Sequence, residues 1–217
     1  MTQSFWSEIE YILHIMETPY YLMRAADSPK NPVTGYVYNL FLKLQEEWKS
    51  DQQIKPAHRQ DIGNILSKRW TDAHSQVYSA AYLLNPAFVK YPMFDDRNVI
   101  NDFKDTARLM KFDSGIALRE LEHYRLNVDS EGLNLYTEVD SLQNLPNPML
   151  YWRYYSPQSY EVLHLIARKV FSVLTSSSVC EQNFRDMEYI YCSRRLRTKP
   201  ERFNKLIYIY SNAKLKR

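Results

Sequence analysis

Residues 198–215 read TKPERFNKLIYIYSNAKL, and the fold class turns on five of them, LIYIY at 206–210. LIYIY is the longest candidate for an alternating strand in the chain. The same residues also belong to a helical pattern. Phe203, Leu206, Ile207, Tyr210 and Ala213 recur at the i, i+3, i+4 spacing that gathers apolar side chains on one helix face. Thr198 stands where an N-cap is wanted, and Glu201 follows at the third helical position, the pattern of a capping box. The run is therefore predicted to be helical, which leaves no strand of note and makes the chain mainly α.

Working back from this stretch, SSSVCEQNF (176–184) predicts another helix start. Ser178-x-x-Glu181 fits a second capping box, with Ser178 as N-cap and the Glu181 carboxylate reaching back to its backbone N–H. Ser156-Pro157 should open a helix with the stripe Tyr160, Leu163, Ala167, Val170, Phe171 and Leu174. The segment LQNLPNPM (142–149), with two prolines and two asparagines, is the best candidate for a boundary, dividing the chain into 1–145 and 146–217.

Further upstream, residues 96–127 predict two polar helices joined near Asp113-Ser114-Gly115. In NPAF (85–88), Asn85 should cap and Pro86 should be the first helical residue. A helix from about Gln60 to about Leu84 carries Ile62, Ile65, Leu66, Trp70 and Ala73. Another carries Val37, Leu40, Phe41, Leu44 and Trp48, and the polar residues 50–57 end it. The first, over 4–26, shows the stripe Phe5, Ile9, Ile12, Leu13 and Met16, with Pro19 expected to kink or divide it.

The 217 residues are 45% apolar, enough for a real core. Only 4 are glycine, which argues against phosphate-binding glycine loops and against a turn-rich sheet. The 18 tyrosines supply large half-polar surfaces suited to interfaces. Charge is uneven. Beyond residue 190, nine Lys/Arg face one acid, Glu201, so that segment is +8 and residues 1–190 are −5 within a net +3. A basic tail on an acidic body points to an acidic partner, nucleic acid above others. Cys180 and Cys192 are too few for a disulfide framework or a four-cysteine zinc site, which predicts a reducing compartment. Glu8, Glu10 and Glu17 argue against a secretory leader, and no apolar run approaches the roughly 20 residues that span a bilayer.

Three segments, in order, resemble the hAT superfamily of DNA transposases: FWSEIEYILHIMETPYYLMRAADSPKNPVTGYVYNLF (5–41), RWTDAHSQVYSAAYLLNPAF (69–88) and SSSVCEQNFRDMEYIYCSRRLRTKPERFNKLIYIYSNAKL (176–215). The last is similar to the family's C-terminal dimerisation region. The family's catalytic core is RNase H-like and carries Asp, Asp and Glu, with a long helical insertion before the Glu. The resemblance thus implies that 1–145 is the later part of that insertion. It implies that 146–217 holds the closing helices of the core and the dimerisation surface, without a complete sheet. The zinc finger and both aspartates would lie upstream.

Glu181 aligns with the catalytic glutamate. In an intact enzyme it would help hold divalent ions such as Mg, which need several converging carboxylates. We read Glu181 here as a helix cap and the catalytic position as a vestige, with no metal or other cofactor. Gln182, Tyr191 and Leu196 stand where the family usually has Arg, His and Asn.

The resemblance makes Tyr189, Tyr191, Phe203, Leu206, Ile207, Tyr208 and Tyr210 the leading dimer-interface residues. Arg194, Arg195, Arg197 and Lys199 are the candidates for phosphate contact. The main expectation is a nuclear dimerisation module, pairing with itself or with an intact transposase, without its own catalysis. The rivals are part of an active transposase that cleaves and joins DNA, and a domesticated nuclear DNA-binding regulator. Other constellations read as structure: Arg69-Trp70 as core, Asp95-Asp96 as a solvated loop. The histidines at 14, 58, 74, 123 and 164 lack zinc spacing.

Overall fold

The computed structural model describes residues 3–27, 33–89, 96–127, 147–154, 160–190 and 199–215. It is mainly helical, with no strand among the described residues. Contacts divide the chain into two compact units, Met1–Thr175 and Ser176–Arg217.

The first unit is organised around α4 (Gln76–Leu84), flanked by α2 (Thr34–Ser50), α5 (Arg97–Leu109) and α8 (Glu161–Phe171). Helices α1 (Gln3–Ala26) and α3 (Pro56–Ala73) pack on α2, α6 (Ser114–Asn127) on α5 and α8, and α7 (Pro148–Tyr154) on α8. Six consecutive residues of α4, from Ser79 to Leu84, are buried. A short helix that is apolar on all sides belongs at a centre rather than on a surface.

That central position explains a difference from the sequence reading, in which one helix ran from about Gln60 to Leu84. The chain breaks at His74, whose backbone is extended, and Ser75 then caps α4 by accepting from Val77 N at 3.4 Å. The break lets the peripheral α3 and the central α4 take different directions. Helix α3 also starts earlier than expected, at Pro56. Its residues Leu66 and Trp70 join Phe41, Leu44 and Trp48 in a small satellite cluster, where Trp70 stacks on Phe41 at 4.2 Å.

Several local expectations match the structure. Asn85 caps a 3₁₀ turn at Pro86–Phe88, accepting from Ala87 N at 3.1 Å, and its Nδ2 donates to Gly35 O at 3.1 Å. Helix α5 ends at Leu109 and α6 begins at Ser114, where Asp113 Oδ1 accepts from Gly115 N and Ile116 N at 2.8 Å each. Asp96, read as loop, is the N-cap of α5, accepting from Asn98 N at 2.8 Å. The two polar helices nevertheless send Val99, Phe103, Ala107, Ala117, Leu121 and Tyr124 into the core. Helix α1 continues through Pro19, which removes one backbone bond without ending it.

Helix α8 buries Leu163, Ile166, Ala167, Val170 and Phe171, while Leu174 lies beyond its end and is exposed. Tyr160 precedes it without a side-chain cap, and a carboxylate from elsewhere fills the role: Leu163 N donates to Glu120 Oε2 at 2.7 Å. The expected start at Ser156-Pro157 lies outside the described residues, as does most of LQNLPNPM. Trp152 of α7 is fully buried and donates from Nε1 to Leu84 O at 2.8 Å, tying α7 to the end of α4.

Candidate dimerisation surface

The second unit contains α9 (Ser178–Ile190) and α10 (Pro200–Leu215), which pack on each other. The serine run starts α9, but in a different register from the expected capping box. Ser178 N donates to Ser176 Oγ at 3.2 Å, and the Ser177 carbonyl accepts from Cys180 N at 2.8 Å and Glu181 N at 3.1 Å. Ser177 is thus the half-in residue, and Glu181 stands one position too far along for the reciprocal bond. Its carboxylate is exposed in the first turn, where the positive end of the helix favours an anion.

Helix α10 starts similarly. The Lys199 carbonyl accepts from Arg202 N at 3.0 Å and Phe203 N at 3.1 Å, and Pro200 is the first helical residue. Proline suits that position, since its absent N–H would have had no partner within the helix. Thr198, the expected cap, lies outside the described residues. The LIYIY run is helical throughout.

The interface candidates fall into two sets. Phe203, Leu206, Ile207 and Tyr210 are half-buried along α10, and Tyr210 lies against Tyr189 with ring centroids 6.1 Å apart. Tyr189 and Tyr208 point outward at 74% and 70% exposure. Tyr191 lies outside the described residues, as do Arg194, Arg195 and Arg197, whereas Lys199 is described and exposed. Phe184 and Ile209, exposed at 65% and 63%, join Tyr189 and Tyr208 as large apolar groups in water. Ile209 lies off the α10 stripe that periodicity selects, and Phe184 lies in a helix for which no stripe is read from the sequence.

Among the described residues, the side chains around Glu181 do not assemble a site for a divalent metal pair. Glu181 is one carboxylate, and no group of three His, Cys, Asp or Glu side chains occurs among the described residues. A second cluster, in the first unit, also falls short of catalytic geometry. Asp102 Oδ2 accepts from Ser79 Oγ at 2.6 Å and pairs with His74 Nε2 at 3.0 Å. The carboxylate sits between the hydroxyl and the imidazole, whereas an activated serine needs the imidazole in the middle. The cluster instead joins the α3–α4 break to α5. No helix among the described residues is long and apolar enough to cross a membrane.

No curated protein and no solved structure matches the chain. Residues 132–213 match the model of the hAT family C-terminal dimerisation region, a stretch that includes α7, α8, α9 and most of α10. A little over a third of the chain, residues 132–213, is therefore similar to the C-terminal dimerisation region of the hAT family.

Proposed function

We propose that this chain is a protein-association module that pairs with a second copy or with an intact transposase through its C-terminal helices and does not itself cleave DNA. The observation that carries the reading is the coincidence of the matched region with exposed Phe184, Tyr189, Tyr208 and Ile209. Large apolar side chains in water are the groups whose burial drives association. On this reading α10 works with both faces: Phe203, Leu206, Ile207 and Tyr210 hold it to α9, and Tyr208 meets the partner. The carboxylate of Glu181, exposed and outside any group of three potential metal ligands among the described residues, supports the non-catalytic reading.

Light scattering on the 25.9 kDa chain at tens of micromolar is expected to give twice that mass. The double substitution Tyr208→Asp, Ile209→Asp should return it to a monomer with unchanged helix content. A wild-type monomer would overturn the dimer. Metal-dependent nicking of DNA, abolished by Glu181→Gln, would overturn the non-catalytic reading.

The charge of the segment beyond residue 190 favours a second role, contact with DNA in the nucleus through Arg194, Arg195, Arg197 and Lys199. Neutralising phosphates releases counterions, so such binding weakens steeply between about 50 and 200 mM salt. A salt-independent signal, or none, would remove this role.

A further inference from the structure

Helix α1 has two opposite faces, and the apolar one is turned to solvent. At 3.6 residues per turn, Tyr11, His14, Ile15, Thr18, Leu22 and Ala25 share one side and are all half-buried. This side is held largely by polar contacts: Tyr11 OH to His58 Nδ1 at 2.9 Å, His14 Nε2 to Asp51 Oδ2 at 2.6 Å, and Thr18 Oγ1 to Glu47 Oε1 at 2.8 Å. Phe5, Ile12, Leu13, Met16, Tyr20 and Met23 project from the other side, at 45%, 57%, 63%, 50%, 56% and 61% exposure. No residue of α1 is buried. Single exposed apolar residues are ordinary, but a stripe running about 27 Å along one helix marks a contact surface.

The charges beside the stripe select the occupant. Glu8 borders one edge, Glu10 and Glu17 border the other, and Arg24 is the one cation within α1. A second α1, laid antiparallel so that the stripes overlap, would set Glu10 of one copy beside Glu17 of the other. Like charges facing across a helix pair destabilise it, so self-pairing is disfavoured. We propose that the outward face of α1 receives an amphipathic helix of another protein, apolar along its contact stripe and flanked by Lys or Arg. Its acidic edges would then guide and orient that helix as its apolar stripe is covered.

The test uses the full chain and two labelled synthetic helices with the same leucine stripe, one flanked by lysines and one by glutamates, followed by fluorescence anisotropy. The lysine-flanked peptide is expected to bind, and the glutamate-flanked peptide to bind about ten-fold more weakly or not at all. Leu13→Asp with Met16→Asp should weaken the lysine-flanked peptide about ten-fold or more. Glu10→Lys with Glu17→Lys should reverse the preference between the peptides. All four positions are exposed, so thermal melts matching the wild type are expected to confirm intact folds. Equal affinity for both peptides, absence of binding, or a preference indifferent to the charge reversal would overturn the proposal. So would self-association, or binding to anionic vesicles, that Leu13→Asp with Met16→Asp abolishes, because each would name a different occupant.

Discussion

Gly35→Ala tests whether the packing of the first unit is as tight as its geometry implies. Gly35 lies in the first turn of α2, and a methyl group there would sit 2.8 Å from Phe171 Cε1 and 3.1 Å from Asn85 Nδ2. Neither neighbour is free to move, since Phe171 is 2% exposed and Asn85 is fully buried. Alanine gains at most about 1 kcal/mol in helix propensity. Forcing a methyl into a filled core costs about 1–3 kcal/mol. Displacing Asn85 also loosens its 3.1 Å bond to Gly35 O, and an unpaired buried amide costs about 1–3 kcal/mol more. The balance is about 3 kcal/mol of destabilisation, or about 6–12 °C in melting temperature for a chain of this size. Gly63→Ala is the matched control: its methyl would meet nothing within 4 Å, and it lies inside α3. That substitution should stabilise by about 1 kcal/mol. The four tryptophans, at 6, 48, 70 and 152, all lie in the first unit, so urea melts followed by their fluorescence report on it without the second. A Gly35→Ala midpoint at or above wild type, with Gly63→Ala raised as expected, would show that Phe171 yields and that the core is looser than argued.

Lys111 adopts a left-handed backbone, φ 65°, just after α5, where Lys111 N and Phe112 N return to the carbonyls of Arg108 and Ala107 at 2.9 Å each. That is the glycine position of a Schellman motif, so Lys111→Gly should raise the urea midpoint by an amount equivalent to about 1 kcal/mol. Tyr124 is fully buried and its hydroxyl has no hydrogen-bond partner among the described residues, so Tyr124→Phe should be neutral or stabilise by about 1 kcal/mol. Burial, with Tyr151 and Tyr160 nearby, also pushes the Tyr124 phenol well above its usual value. The stability this provides is present below about pH 10 and lost as pH rises through the higher folded value, so Tyr124→Phe should also flatten the alkaline arm of a melting-temperature curve. The bond from Gln53 N, followed by that from His14, lowers the Asp51 carboxyl. Its contribution is present above the ordinary carboxylate range and lost as pH falls through the lowered value. An NMR titration should find Asp51 among the more acidic aspartates, and His14→Ala should raise it.

The helical class was legible because apolar residues recur at helical spacing in nearly every segment, including LIYIY, where a strand was the rival. The cap at Asn85 was legible, as was the junction at Asp113, whereas Asp96, an equally local cap, reads from sequence as loop. Caps that depend on distant residues were not legible: nothing in YEVLHL (160–165) shows that Glu120 will accept from Leu163 N. The break before α4 was hidden because it uses neither glycine nor proline. A serine capping the next helix and a histidine held by Asp102 suffice; the cap is local, and the contact from His74 to Asp102 is tertiary. In α9 the serine run announced a helix start, yet three serines in a row leave the register open, and it falls one residue before the expected cap.

Periodicity reveals that a helix has an apolar face but not what covers it, and this bears most on function. Helices α1 and α8 carry stripes of the same kind. The stripe of α8 is buried because α4, α6, α7 and α2 surround it. That of α1 is exposed because the helix meets α2 and the start of α3 through its other side, where Tyr11, His14 and Thr18 make the hydrogen bonds. In α10 the stripe residues Phe203, Leu206, Ile207 and Tyr210 are half-buried, Tyr210 against Tyr189 of α9, and the exposed apolar groups are Tyr208 and Ile209, which the pattern passes over. A stripe thus marks a fold contact in α8, an exposed face in α1, and in α10 a half-buried side away from exposed Tyr208 and Ile209. Substitutions that test the proposed associations should therefore be chosen by exposure within an assigned helix: Tyr208 and Ile209 in α10, Leu13 and Met16 in α1. Substitutions in the buried or half-buried stripes, such as Phe203→Ala, would lower stability first and association only as a consequence.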